Sequence, residues 1–324
     1  MPNLLLPQTM LQLLTAAVAT LITTVGAVWY LRRVRLERPA IGTFNLRDIA
    51  TLTTFVICLP LIYLILPEWS FPYLLLLTFG SALTIGLRPL MPRTLMWFGV
   101  GVLLAANIWV ARTMLGTQHG WQLYWVLCDI IVLIAAVAVA NLFVQGGMRM
   151  LHAACFVLVL GIYDFTFAEI LHVTQTLTDR FVGYPLNPGV GIRWSIYGVE
   201  IGLGDLLAFA FYAAATYKAY GPKALRIAMG FIMAFGVAGG SLTPLVIKEL
   251  IRGSLNTVVP VQTLFAIPAL CLYLWFRHRY GPERTMAQFR AAVAAEKSAV
   301  RAGPPAGAGR PQAEPQIQVG QPAS

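Results

Sequence analysis

Residues 151–173 read LHAACFVLVLGIYDFTFAEILHV, an apolar run long enough to cross a hydrocarbon core about 30 Å thick, with Asp164 near its middle. Runs of the same kind recur at 9–31, 46–66, 71–87, 94–115, 122–144, 195–218, 225–251 and 257–276. Together they predict an all-α polytopic membrane protein of nine spans, forming one membrane domain over residues 1–280. Composition agrees, because 58% of the 324 residues are hydrophobic and 11% charged, against about 25% charged in an ordinary soluble domain.

The net charge of +10 does not point to nucleic acid, because the basic residues fall in short connections between apolar runs. Odd-numbered connections hold Arg32, Arg33, Arg35, Arg38, Arg47, Arg88, Arg93, Arg149, Lys218, Lys223 and Arg226, and Arg277, Arg279 and Arg284 follow the last span. The other connections hold Arg112, Arg180, Arg193, Lys248 and Arg252. The bias predicts an outside N-terminus and a cytoplasmic C-terminus, which fits an odd number of spans.

Residues 9–31 read as a retained first span, too long for a signal peptide and followed by arginines. The Ala, Arg and Glu-rich stretch 281–302 predicts a helix at the cytoplasmic surface, and the Pro, Gly, Ala and Gln tract 303–324 a disordered tail. The longest connection, 174–194, contains Pro185 and Pro188 and reads as irregular. Cys58, Cys128, Cys155 and Cys271 each sit inside a predicted span with no paired spacing. No disulfide framework, metal site or cofactor is expected.

An ionised side chain inside a bilayer is costly, so a mid-span acid is a functional candidate. Asp164 lies about nine residues from the outer end of its span and Asp205 about ten from the outer end of the next, which predicts a depth of about 13 to 15 Å for both. Facing carboxylates at one depth can share a proton, activate water and polarise a carbonyl. The same two acids also fit a proton-coupled transporter or channel that uses them as a relay. Asp205 ends the run Gly202, Leu203, Gly204, Asp205, in which two glycines leave space beside the acid, and Asp164 follows Tyr163. In the last span, Pro268 precedes Ala269 and Leu270 and leaves a carbonyl one turn earlier without its helical donor.

Tyr-Asp, Gly-Leu-Gly-Asp and Pro-Ala-Leu in this order resemble the signature of the GxGD intramembrane aspartyl proteases, the presenilin and signal peptide peptidase family, in a prokaryotic-type homologue. The resemblance covers residues 9–276, with the motifs confined to the last four spans, 151–276. It implies Asp164 and Asp205 as catalytic acids, Tyr163, Gly202, Leu203 and Gly204 as residues shaping the site, and Pro268, Ala269 and Leu270 in substrate positioning. It further implies transmembrane or signal-peptide substrates of type II orientation, and residence in the inner membrane of a prokaryote. Phe165, Thr166 and Phe167 after Asp164, and Ile267 before Pro268, depart from the usual family continuations, which bears on substrate preference. A prepilin peptidase also uses a GxGD aspartate but would carry cytoplasmic cysteine pairs. A chaperone that keeps the fold without the activity is a third reading.

Glu169 and Glu200, each five residues to the outer side of an aspartate, read as interfacial acids that could also line a wet approach. Asp129 reads as a helix-pairing acid near the outer interface. His119, His152, His172 and His278 are scattered, and the chain has no zinc-protease, Walker or nucleophile-elbow motif. Trp69, Trp97, Trp121 and Trp194 lie near span ends, as aromatic belts do.

Overall fold

The structure is a computed structural model that describes residues 5–36, 46–171, 173–181, 183–193, 198–242 and 261–302. Helices α1 (Leu5–Arg33), α2 (Leu46–Ile65), α3 (Phe71–Leu87), α4 (Arg93–Thr113) and α5 (Gln118–Gln145) come first. Helix α6 (Met150–Phe165) runs into a π-helical turn, Thr166–Ile170, and is followed by the short α7 (Val173–Phe181). Two antiparallel strands, β1 (Gly189–Arg193) and β2 (Gly198–Gly202), then lead into α8 (Leu203–Tyr220). Helix α9 (Pro222–Phe231) continues as a π-helical stretch, Ile232–Gly239, and α10 (Val261–Tyr280) and α11 (Met286–Ala302) complete the described chain.

Among the described residues, six segments are long and apolar enough to cross a membrane, Met10–Arg33, Glu68–Leu87, Arg93–Thr113, Gln118–Gln145, Met150–Ala168 and Pro222–Leu242. The radial distribution of polarity fits a lipid surround. Leu77, Phe98 and Val126 face outward, while Thr20, Thr24, Asn107, Asn141 and Gln145 are buried between helices. The chain is a mostly helical, multi-pass integral membrane protein.

Three expected spans look different at close range. The apolar part of α2 is only Ala50–Ile65, with Pro60 inside it. Helix α10 carries Gln262 in its first turn and Arg277, His278 and Arg279 in its last. The expected span 195–218 does not begin as a helix: Gly198–Gly202 is strand, and helix starts only at Leu203. Val199 and Ile201 alternate with Glu200 between two glycines, a pattern that suits a strand once β1 supplies a partner, with Val190 opposite Ile201 and Gly191 opposite Glu200. Asp205 therefore lies in the first turn of α8, and a depth counted by helical rise from residue 195 does not apply to it. Residues 194–197, 243–260 and 303–324, which include Trp194, parts of the expected last two spans and the tail, lie outside the described residues.

Helix α8 is the axis of the bundle. From Leu206 to Ala219 it is buried on nearly every side, as expected of a helix apolar all round, and it packs against α1, α5, α6 and α9. Helix α10 packs along α6, and Gly161 makes that contact close: a Cβ there would lie 2.5 Å from the Ala266 Cβ. The Thr263 hydroxyl donates to the Gly161 carbonyl at 2.8 Å in the same crossing.

Residues 183–188, which hold Pro185 and Pro188, form neither helix nor strand, as expected of this connection, and hydrogen bonds fix them in place. Tyr124 donates its hydroxyl to the Tyr184 carbonyl at 2.6 Å, and the Leu186 N–H donates to Asn107 Oδ1 at 2.8 Å. Asn187 accepts the Gly189 N–H at 2.8 Å, and Pro188 accepts the Leu203 N–H at 2.8 Å. The turn is held through polar side chains inside the bundle, which its prolines alone did not indicate. A second unit begins at Ala287, and its described residues, to Ala302, are helical.

Candidate active site

Asp164 sits one residue before the end of α6, where the helix widens into the π turn, and the Thr166 hydroxyl donates back to the Ile162 carbonyl at 2.8 Å across this joint. The Tyr163 ring lies 4.4 Å from that of Phe167, centroid to centroid, and covers the same turn. Asp205 occupies the third position of α8 with Gly202 as its N-cap, and the Gly202 backbone hydrogen-bonds its carboxyl. Neither Gly202 nor Gly204 has a positive φ. A Cβ on Gly204 would meet nothing within 4 Å, and one on Gly202 would come no nearer than 3.8 Å to Asp205 Oδ2. The two glycines leave open space beside the acid.

The two acids converge on one residue of α10. The Gln262 backbone N–H donates to Asp164 Oδ2 at 3.2 Å, and its side-chain Nε2 donates to Asp205 Oδ1 at 2.7 Å. The positive ends of two helix dipoles thereby meet at the pair, that of α8 at Asp205 and that of α10 at Asp164. Gln262 was not legible as a site residue, because a lone glutamine near a span end reads as interfacial.

Pro268, Ala269 and Leu270 lie farther along α10. The Ala269 carbonyl accepts the Tyr212 hydroxyl at 2.7 Å, and Phe265 packs edge-on against Phe209 and Tyr212. These contacts fasten the proline segment to α8 about two turns beyond Asp205. The α10 residue that touches both acids is Gln262.

A cavity of about 40 Å³ opens on Asp205 from the side of α1, with Gln12, Thr15, Glu200 and Ser241 in its wall. Its volume exceeds the roughly 10–15 Å³ that one water needs. The Thr15 hydroxyl is buried with no hydrogen-bond partner among the described residues, which suits a hydrated wall. Glu200 is held here by β2, its side chain lying over Gly189, where a Cβ would fall 1.9 Å from Glu200 Oε1. Asp129 serves another purpose, since its Oδ1 accepts the Gly191 N–H at 2.9 Å and pins β1 to α5. The Glu169 side chain and His172 lie outside the described residues.

No protein-family model and no curated protein matches this chain. The fold and site are those of a multi-pass helical membrane protein with two acids from different helices joined through a glutamine.

Proposed function

We propose that the chain is an intramembrane aspartyl protease that hydrolyses peptide bonds within transmembrane segments or signal-peptide remnants. The observation that carries this reading is the convergence of Asp164 and Asp205 on Gln262, beside a cavity with room for water. The resemblance to the GxGD family rests on the same two aspartates, with Tyr163, Gly202, Leu203 and Gly204 around them and Pro268, Ala269 and Leu270 fastened to α8.

In this mechanism the ionised carboxylate takes a proton from water as the water oxygen bonds to the scissile carbonyl carbon. The protonated carboxyl gives its proton to the carbonyl oxygen, forming a gem-diol. Collapse breaks the C–N bond: the leaving nitrogen takes the proton held by the first carboxyl, and a gem-diol hydroxyl returns one to the second. A carboxylic acid and an amine leave, and the pair is regenerated.

A helical substrate hides its scissile carbonyl in its own hydrogen bonds and must unwind locally. The β1–β2 pair ends at Gly202, immediately before the helix that carries Asp205, and a sheet edge can accept an extended peptide by backbone pairing. The carbonyl freed before Pro268 is a second pairing point. Crosslinks from bound substrate that avoid both regions would remove this element.

Nine crossings, by α1 to α6, α8, α9 with its continuation, and α10, complete the reading, with the N-terminus outside, the C-terminus cytoplasmic and type II substrates in a prokaryotic inner membrane. The test is cleavage of a synthetic type II transmembrane peptide by purified protein in liposomes. Asp164→Asn and Asp205→Asn are each expected to abolish it. Proton flux without cleavage would favour the relay reading instead.

A further inference from the structure

Gln262 is 4% exposed, and its polar atoms are unequally served. Its backbone N–H and side-chain Nε2 go to the two acids, while its Oε1 is buried without a hydrogen-bond partner among the described residues. A buried carbonyl oxygen with no donor is an unfavourable arrangement that a ligand's donor can relieve. The donor in question must be able to reach the acids. Gln262 is not part of the described wall of the water-sized cavity. Around it, α6 and α10 expose Ile162, Phe165, Leu264 and Ile267, an apolar surface suited to a peptide arriving through lipid. An unwound peptide presents one abundant donor there, its backbone N–H.

We propose that Gln262 is a positioning residue of the pair, whose Nε2 fixes the orientation of the Asp205 carboxylate and whose Oε1 accepts a backbone N–H of the extended substrate next to the scissile bond. This rests on the protease reading. One amide then does two things: it holds an acid and registers the peptide against it. Aspartate and peptide are tied to a single rigid group, so the scissile carbonyl is set relative to the carboxylate without a further side chain.

The test uses full-length protein in liposomes and a synthetic transmembrane peptide whose cleavage site has been mapped. Single amides flanking that site are replaced by esters, which removes one N–H at a time. Wild type is expected to lose about 10-fold in kcat/KM at one ester position. Gln262→Leu should lower kcat/KM by 30-fold or more on the all-amide peptide, and the same ester should then cost less than 2-fold. Gln262→Glu keeps an oxygen in place but loses the donor to Asp205, so it should be slow yet retain the ester penalty. It also serves if the leucine variant does not fold. Thr263→Val, which loses the bond to Gly161 but touches neither acid, should stay within 3-fold of wild type. A Gln262→Leu rate within 3-fold of wild type, or an ester penalty unchanged in that variant, overturns the proposal. Full cleavage by the Asp164→Asn and Asp205→Asn proteins would instead overturn the protease reading beneath it.

Discussion

The Glu283 carboxylate accepts the Met150 N–H at 2.8 Å through Oε2 and the Leu151 N–H at 3.1 Å through Oε1, so a residue beyond α10 caps the start of the helix that carries Asp164. Its neighbour Arg284 donates to the Ala219 carbonyl at 3.1 Å and the Tyr217 carbonyl at 3.0 Å, capping the end of the helix that carries Asp205. Two adjacent residues of opposite charge thus meet the helix ends whose dipoles they complement. Lys218, in the last turn of α8, instead serves the end of α5 from the bundle interior, donating to the Val144 and Met148 carbonyls.

Removing the Glu283 cap leaves two helix-start N–H groups unserved. Glu283→Ala is expected to lower unfolding stability in micelles by about 1–2 kcal/mol, and Glu283→Gln, which keeps an oxygen acceptor, by less. Denaturant titration followed by helical circular dichroism measures both. Equal midpoints for wild type and Glu283→Ala would show that the cap contributes nothing.

Gly161 fixes the spacing of α6 and α10 one turn before Asp164. A Cβ there would meet the Ala266 Cβ at 2.5 Å and the Gln262 carbonyl oxygen at 3.0 Å, so the helices must part. Gly161→Leu is expected to cost about 1–3 kcal/mol through overpacking and to slow cleavage by moving Gln262 away from Asp164. Gly161→Ala should show a smaller effect, and adding Ala266→Gly should restore much of it. A double variant no better than Gly161→Ala alone would place the strain elsewhere.

Six of the nine expected spans were legible as long apolar runs, and the cost of charge in hydrocarbon is what makes an aspartate such as Asp164 stand out in one as a candidate. The start of α8 was not legible. Val199 and Ile201 are as apolar as the helix that follows, and a hydropathy run does not distinguish a strand leading into a helix from one continuous span. Gln262 was missed for the opposite reason: a neutral polar residue near a span end is ordinary, and its importance arises only when α6 and α8 bring their acids to it. Asp129 reads as an acid that pairs with a neighbouring helix, whereas its partner is a strand, the Gly191 N–H of β1, which hydropathy does not reveal.

Gln145 tests how much a polar clasp contributes inside the bundle. Its Oε1 accepts the Leu36 N–H and its Nε2 donates to the Val34 carbonyl, each at 3.1 Å, so α5 holds the chain just after α1. Hydrogen bonds between membrane helices average about 0.6 kcal/mol, and two of them set an expectation of about 1 kcal/mol for Gln145→Leu. The loss should appear in the unfolding midpoint and leave kcat unchanged, because neither bond lies near the acids. A large fall in kcat without a stability change would contradict this assignment.

Asp129 separates structural from catalytic carboxylates by one substitution. Its Oδ1 has a single described task, to accept the Gly191 N–H at 2.9 Å, and the side-chain oxygen of asparagine can accept the same bond. Asp129→Asn is therefore expected to cleave at near the wild-type rate. Asp129→Ala leaves the Gly191 N–H without its acceptor in the middle of β1, and should cost about 1–3 kcal/mol in stability. It should also lower kcat/KM, because β2 leads directly into the helix that carries Asp205. The candidate catalytic acids behave oppositely, since asparagine can neither take a proton from water nor give one to a carbonyl. Cleavage lost equally in Asp129→Asn and Asp205→Asn would place Asp129 among the reacting groups and undo its assignment as a strand anchor.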